Sequence, residues 1–287
     1  MTAAQERDAR AAWLARAPGA RRGAGGLWRV PLPAPFRGAA RALHALAPEC
    51  QGNDSDGGAG TPALEHLEDA RAAARADGAL GLVASFCHVE TEALARDAGF
   101  ERVGRILEVR GRLAPGAPGI EVPLDEAVST LVAEANAVHA LATHWDPALL
   151  HWRFGDAPAL HGACGVRDGD RLQALAVYSV EGEALEVQAW WALADAESPA
   201  EQRLGGALAE VAARAGGLEL RLEAPLWSPA ARSLLAQGHT LRPTSRSLWV
   251  ASFEPRLDLE LLRGRWLWQR AEDLGPIDSH PSLEQDS

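Results

Sequence analysis

The chain has 287 residues, 47% of them apolar and 23% charged, which suits a globular protein of one or two domains; no apolar run nears the roughly 20 residues of a membrane span. Its net charge of -11 argues against nucleic acid, whose binding needs phosphate neutralisation. All 28 basic residues are arginine, so a Walker-type lysine, a pyridoxal Schiff base and a lysine nucleophile are excluded together.

Residues 1–26 are rich in Ala and Arg but lack the apolar stretch of a signal peptide, and a cytoplasmic protein is expected. Cys50, Cys87 and Cys164 are odd in number and form no C-x-x-C pair. They predict reduced thiols, with no metal. Next come a polar loop, QGNDSDGGAG (51–60), a helix over 61–77 and the strand ALGLVASF (79–86). A short helix within ETEALARDAGF (90–100) and the strand RVGRILEVRGRL (102–113) follow. APGAPG (114–119) marks a boundary. Beyond it an amphipathic helix is expected over 124–141. Two strands, LQALAVYSV (172–180) and ALEVQAWWAL (184–193), are joined by a hairpin-like turn at Glu181-Gly182-Glu183. A helix over 198–215 leads to the strand LELRLEAPL (218–226). The next helix, in SPAARSLLAQGH (228–239), has Ser228 as N-cap and Pro229 at its first position. The strand TSRSLWVASF (244–253) comes before a disordered tail at 277–287.

The elements repeat. A shift of 139 residues lays Ala73-Ala74-Arg75-Ala76 on Ala212-Ala213-Arg214-Ala215, Gly99 on Gly238, and Trp13 on Trp152. No gap is needed, and helix, strand, helix and strand recur in the same order. The first copy lacks a counterpart of the 124–141 helix and is expected to be shortened. Two domains, 1–115 and 120–276, are predicted.

Within EQRLGGALAEVAARAGG (201–217), the pattern Gln202-x-x-Gly205-x-Ala207 follows a strand and opens a helix. A helix start aims unpaired N–H groups and the positive end of its dipole at one spot, which suits a pyrophosphate. A match of this kind is expected about once by chance in a chain so rich in Ala, Gly and Arg. A glycine-softened helix start with no ligand fits equally well.

The order of elements resembles the GCN5-related N-acetyltransferase (GNAT) fold, a mixed α/β sheet in which Q/R-x-x-G-x-G/A holds the coenzyme A pyrophosphate. Ala98-Gly99-Phe100 and Gln237-Gly238-His239 look like that family's helix ending, Gly-Phe. Trp152-Arg153-Phe154 and the closing RGRWLWQRAEDLGP (263–276) make the chain similar to bacterial double-GNAT proteins, with two tandem GNAT-like domains. The resemblance implies Gln202, Arg203, Leu204, Gly205, Gly206 and Ala207 as the site for acetyl-CoA, the co-substrate. The matching positions of the first copy, Ala63-Leu64-Glu65-His66-Leu67-Glu68, carry no Gly and two carboxylates that repel phosphate. Only the second copy is expected to bind coenzyme A.

The implied reaction is attack of a deprotonated amine, small-molecule or peptide, on the acyl-CoA thioester. It needs a splayed strand edge for the pantetheine, a base and a donor to the leaving thiolate. By strand alternation Glu186 shares a face with Gln188 and Trp190, opposite Leu185, Val187, Ala189 and Trp191. Glu186 is the candidate base. It also fits a solvated strand face, and His151, His161 and His239 are alternatives. The tyrosine that the family often places four residues before the helix-ending Gly is Ala95 in one copy and Leu234 in the other. Tyr178 lies on a different strand, leaving Ser233 as the candidate donor. Most Trp residues are expected in the core, with Gln188, Trp190 and Trp227 as candidate walls of an acceptor pocket. A catalytically silent protein that binds acyl-CoA or another small ligand, or acts structurally, is the alternative to an enzyme. An aminoacyl-tRNA-dependent transferase on the same fold is disfavoured by the acidic charge.

Overall fold

The computed structural model describes residues 3–37, 39–48, 63–87, 89–112, 119–124, 126–157, 160–193, 200–272 and 274. The first part of the chain forms α1 (Ala3–Ala15), β1 (Arg21–Arg22), β2 (Leu27–Pro33), β3 (Ala42–Pro48), α2 (Leu64–Ala76), β4 (Gly81–Phe86), α3 (Val89–Asp97) and β5 (Glu101–Gly111). The second forms β6 (Ile120–Glu121), α4 (Glu126–Asn136), β7 (Leu141–Ala142), α5 (Pro147–Leu150), a π-helical turn (His151–Gly155), β8 (His161–Asp168), β9 (Arg171–Glu181) and β10 (Ala184–Ala192). It continues with α6 (Ala200–Arg214), β11 (Glu219–Ala224), α7 (Pro229–Ala236), β12 (Thr240–Ser252), α8 (Leu259–Arg265) and β13 (Trp266–Leu267), then a 3-10 turn (Arg270–Glu272).

Most expected elements stand where alternation and helical periodicity put them. Gly182 takes φ 59° in the β9–β10 turn, a conformation that favours glycine. Pro229 opens α7 after Ser228, as expected, although the Ser228 side chain makes no capping bond. The helix expected over 124–141 is shorter. It stops at Asn136, whose side-chain amide donates to the Thr143 carbonyl at 2.7 Å and turns the chain into β7. The loop at 51–60, most of the APGAPG boundary and the 277–287 tail lie outside the described residues.

Among the described residues, eleven strands form one mixed sheet in the order β1-β2-β3-β4-β12-β5-β11-β10-β9-β8-β6. At the centre of the sheet, strands from the first and second parts of the chain alternate, in the order β4-β12-β5-β11. β5 pairs with β11, β12 pairs with β4, and β5 and β12 pair antiparallel with each other at the centre. Trp13 and Trp152, equivalent under the 139-residue shift, stack with ring centroids 4.9 Å apart. Each indole N–H donates to the other's backbone carbonyl, at 3.1 and 2.9 Å. Such reciprocity is what a two-fold relation produces.

The helices cover both faces of this sheet. On β12, Trp249 and Ala251 pack with α2 and α3, while their neighbours Leu248 and Val250 pack with α6 and α7. Alternation also splits β11: Leu220, Leu222 and Ala224 face α6 and α7, leaving Glu219, Arg221 and Glu223 on the other side. A second apolar cluster, with α1, α4, Trp145, Trp152 and Trp191, fills the space beyond β9 and β10.

Candidate functional site

β10 and β11 run parallel and paired only from Ala184↔Glu219 to Val187↔Leu222. β10 then continues to Ala192 along β9, and β11 to Ala224 along β5. The register shift on β10 falls at Gln188, between Val187 and Ala189, where a bulge inserts a residue and bends the strand. A cleft therefore opens in the middle of the sheet. Its β10 wall presents the backbone of Trp190, whose N–H donates to Gln269 Oε1 at 3.0 Å and whose carbonyl accepts from Gln269 Nε2 at 2.6 Å. The β11 wall presents Glu223, which takes Arg246 and, at 3.0 Å, Arg270.

The bulge corrects one expectation. Simple alternation put Trp190 on the face of Glu186, but the extra residue at Gln188 reverses the strand's phase. Trp190 packs with Leu185 and Val187 beside α6, whereas Ala189 and Trp191 join the opposite cluster. Gln188 is buried, and its amide donates to Ser179 Oγ at 3.1 Å. Trp227 packs against the same cluster as Trp190, its ring against Gly104 of β5, where a Cβ would come within 2.7 Å. Trp190 and Trp227 thus border one cluster, while Gln188 is tied to β9.

Glu186 is half-buried on the face away from α6, with Ser179 opposite it on β9 and Arg221 opposite it on β11. The Arg221 guanidinium stands 3.7 Å from its carboxylate. Burial first, then the charges of Glu181 and Glu223, push the Glu186 carboxyl up to about 7, against the opposing pull of Arg221 and Arg270. A carboxyl so placed exchanges protons near neutral pH, which is what a general base requires.

Gln202, Arg203, Leu204, Gly205, Gly206 and Ala207 all lie within α6. Gln202 is exposed in the first turn, where backbone N–H groups have no helical partner. Gly205, one turn in, has a packing role: a Cβ there would run into the Gln237 side chain at the end of α7. That side chain donates to Ser233 Oγ and the Ser233 carbonyl, both at 3.2 Å. Ser233 is therefore gathered with Gly205 on the α6 side of the sheet, while Glu186 faces the other. Leu234, where a tyrosine was sought, is buried in the core. Of the alternative bases, His239 is buried with Nδ1 3.2 Å from the Leu234 carbonyl, and burial lowers its pKa. His151 is exposed, 3.4 Å from Asp156, and His161 packs edge-on against Phe154.

The closing segment supplies residues that sequence reasoning did not single out: Gln269, Arg270 and Glu272. RGRWLWQRAEDLGP has the look of a strand edge and a polar tail, and nothing local says that it returns to β10. Glu272 is wholly buried, with the Thr143 hydroxyl and Trp266 indole facing it, yet neither carboxylate oxygen makes a hydrogen bond of normal geometry among the described residues. Burial pushes it up to about 8. The folded chain thus keeps a proton that the unfolded chain sheds near 4.5, so stability falls as pH rises through that window and levels above about 8. At about 1.4 kcal/mol per unit, the loss is a few kcal/mol. Glu272→Gln is expected to remove this slope, overtaking the wild type at pH 8.5 in urea denaturation. Equal slopes for both proteins between pH 5 and 8.5 would contradict it.

Among the described residues no group of three or more His, Cys, Asp or Glu side chains is placed to hold a metal ion, and Cys164 is a free thiol. No described helix is long and apolar enough to cross a membrane. No protein-family profile matches the chain, and no curated protein matches it in sequence. Solved structures do. A GCN5-related N-acetyltransferase from Anabaena variabilis matches with a TM-score of 0.55 and 16% identity, over 78% of this chain and 58% of its own. One from Kribbella flavida matches at 0.52 and 17%, over 89% of this chain and 97% of its own. Saccharomyces cerevisiae N-myristoyltransferase, solved with bound myristoyl-CoA and inhibitors, matches at 0.52 and 8%, over 78% and 63%. The chain spans less than two thirds of the Anabaena and yeast proteins.

Proposed function

From the GNAT fold of this chain, we propose that it is an acyl-CoA-dependent N-acyltransferase of two GNAT-like halves, 1–115 and 120–276, acting in the cytoplasm. Acetyl-CoA is the acyl donor and a small-molecule or peptide amine the acceptor. The observation that carries this reading is a coincidence at one point: parallel strands part at a bulge, and a half-buried carboxyl poised at about 7 stands beside the opening. The reciprocal Trp13–Trp152 contact and the central order β4-β12-β5-β11 support the two halves.

The proposed chemistry uses both faces of the sheet. The first turn of α6 holds the pyrophosphate through its backbone N–H groups, and the amide arm of the coenzyme lies along the parted edge of β10. A carboxamide already fits there, as Gln269 demonstrates by pairing with both backbone groups of Trp190. Glu186, on the far face, takes the proton from the ammonium of the acceptor. The amine nitrogen then bonds to the thioester carbon, the C–S bond breaks, and the second proton of that nitrogen passes through Ser233 or solvent to the leaving thiolate. Arg221 keeps Glu186 oriented, and the buried Gln188–Ser179 pair stiffens the bulge next to it.

Gln202 offers the direct test, because it is exposed and its replacement costs the fold little. Gln202→Glu puts a carboxylate where phosphate is to bind. It is expected to weaken acetyl-CoA binding at least about tenfold by calorimetry, with an unchanged melting temperature. Wild-type protein that does not bind acetyl-CoA removes the acyltransferase reading, and unchanged affinity in the variant moves the phosphate site off α6. A second reading, a catalytically silent GNAT-fold protein, is favoured by Leu234 in the tyrosine position and by the tie of Ser233 to Gln237. Binding without thiol release across a panel of amines selects it.

A further inference from the structure

The segment after α8 crosses the sheet at the cleft. Trp266 and Trp268 are buried in the cluster beneath α6 and α7, whereas Leu267 and Ala271 belong to the cluster on the other side. Two consecutive residues of this segment tie the parted strands together: Gln269 binds the backbone of Trp190 on β10, and Arg270 binds the carboxylate of Glu223 on β11. The following carbonyl, of Ala271, accepts from Arg153 Nε at 2.8 Å.

The Gln269 contact is specific in form. Trp190 turns both its N–H and its C=O away from β9 toward the cleft, and a strand edge left so would cost free energy in a buried site. One carboxamide satisfies both groups, as a neighbouring strand would. A secondary amide offers the same donor and acceptor. The edge can serve only one such partner at a time.

We propose that Gln269 is a latch on the cleft between β10 and β11: its carboxamide holds the place of the coenzyme's amide arm, and binding requires the Gln269 side chain to swing off Trp190 as Arg270 releases Glu223, while Trp266 and Trp268 stay buried. This rests on the acyl-CoA reading above. Exchanging one amide pair for another changes little in hydrogen-bond strength, so the latched state and the ligand-bound state lie close in energy. The apparent affinity is then lowered by the fraction of molecules that are unlatched. Removing the latch raises affinity, the reverse of what loss of a binding residue does.

The test uses the full chain and acetyl-CoA as the probe. Gln269→Leu keeps the size and burial of the side chain while removing its amide, and Arg270→Met releases the second tie independently. Both are expected to bind acetyl-CoA about tenfold more tightly than wild type by calorimetry, and the Trp190 amide in ligand-free Gln269→Leu is expected to exchange with solvent at least tenfold faster. In the wild type, saturating acetyl-CoA should speed amide exchange across 269–271 while the Trp190 amide stays protected. This last measurement needs no variant, and stands if a substitution prevents folding. Wild-type binding with equal or weaker binding in both variants, or slower exchange of 269–271 on adding acetyl-CoA, overturns the latch alone. If neither wild type nor variants bind acetyl-CoA, the acyltransferase reading falls and the latch with it.

Discussion

Glu186→Gln is expected to lower kcat/KM for acetyl transfer to an amine by about 10²- to 10⁴-fold, the range a positioned general base contributes. The affinity for acetyl-CoA should stay within about twofold, because Glu186 stands on the face away from α6 and accepts no coenzyme group. The pH dependence separates catalysis from packing. A group raised to about 7 must lose its proton before it can act as a base, so wild-type kcat/KM rises with pH through about 7 and then flattens. In Glu186→Gln that limb disappears. A loss of activity that keeps the limb would assign it to another group, and full activity at every pH would remove Glu186 from the chemistry.

The sign follows from the surroundings. Burial opposes the carboxylate most, and the charges of Glu181 and Glu223 add to it, while Arg221 and Arg270 partly offset them. Arg221→Met is therefore expected to move the limb upward, with Glu186 still in place. The same raised pKa makes Glu186 a small liability for the fold: protonated when folded and ionised when unfolded, it loses stability between about 4.5 and 7 as pH rises.

The second large effect belongs to the stacked pair of tryptophans. Trp13→Ala and Trp152→Ala are each expected to destabilise the protein by about 3–5 kcal/mol in chemical denaturation, because each empties a buried site between α1 and the π-helical turn. The double variant should cost clearly less than the two together, since the rings lose each other only once. Trp13→Phe keeps a stacked ring and gives up the bond from its indole N–H to the Trp152 carbonyl, a loss of about 1 kcal/mol. Strict additivity of the two alanine variants would show that the rings touch without depending on each other.

The site was legible in unequal parts. Glu186 could be picked out because a single carboxylate interrupts an apolar strand, and its position beside β11 follows from the order of elements. Trp190 could not be placed from alternation, because a bulge is one extra residue that leaves no mark in so apolar a run. Gly205 looked like a phosphate glycine, and nothing nearby in sequence shows that Gln237, thirty-odd residues on, fills the space where its Cβ would stand. Arg221 and Glu223 were visible only as polar positions on β11. Gln269 and Arg270 lay in a segment noted for its tryptophans, and their work is done on strands far upstream.

By itself the sequence determined the elements and their succession: the alternation of β9 and β10, the turn at Gly182, the Pro229 start of α7 and the 139-residue recurrence that pairs Trp13 with Trp152. These are matters of local periodicity and backbone preference, readable within about a dozen residues. Only the tertiary structure decided that β12 and β5 lie side by side between β4 and β11, that β10 parts from β11 at Gln188, and that the closing segment bridges the opening. Each of those depends on which unpaired strand edge meets which other one, and edges offer the same N–H and C=O groups whatever their side chains. The choice among them falls to long-range packing, as it does where one carboxamide from Gln269 stands in for a missing strand.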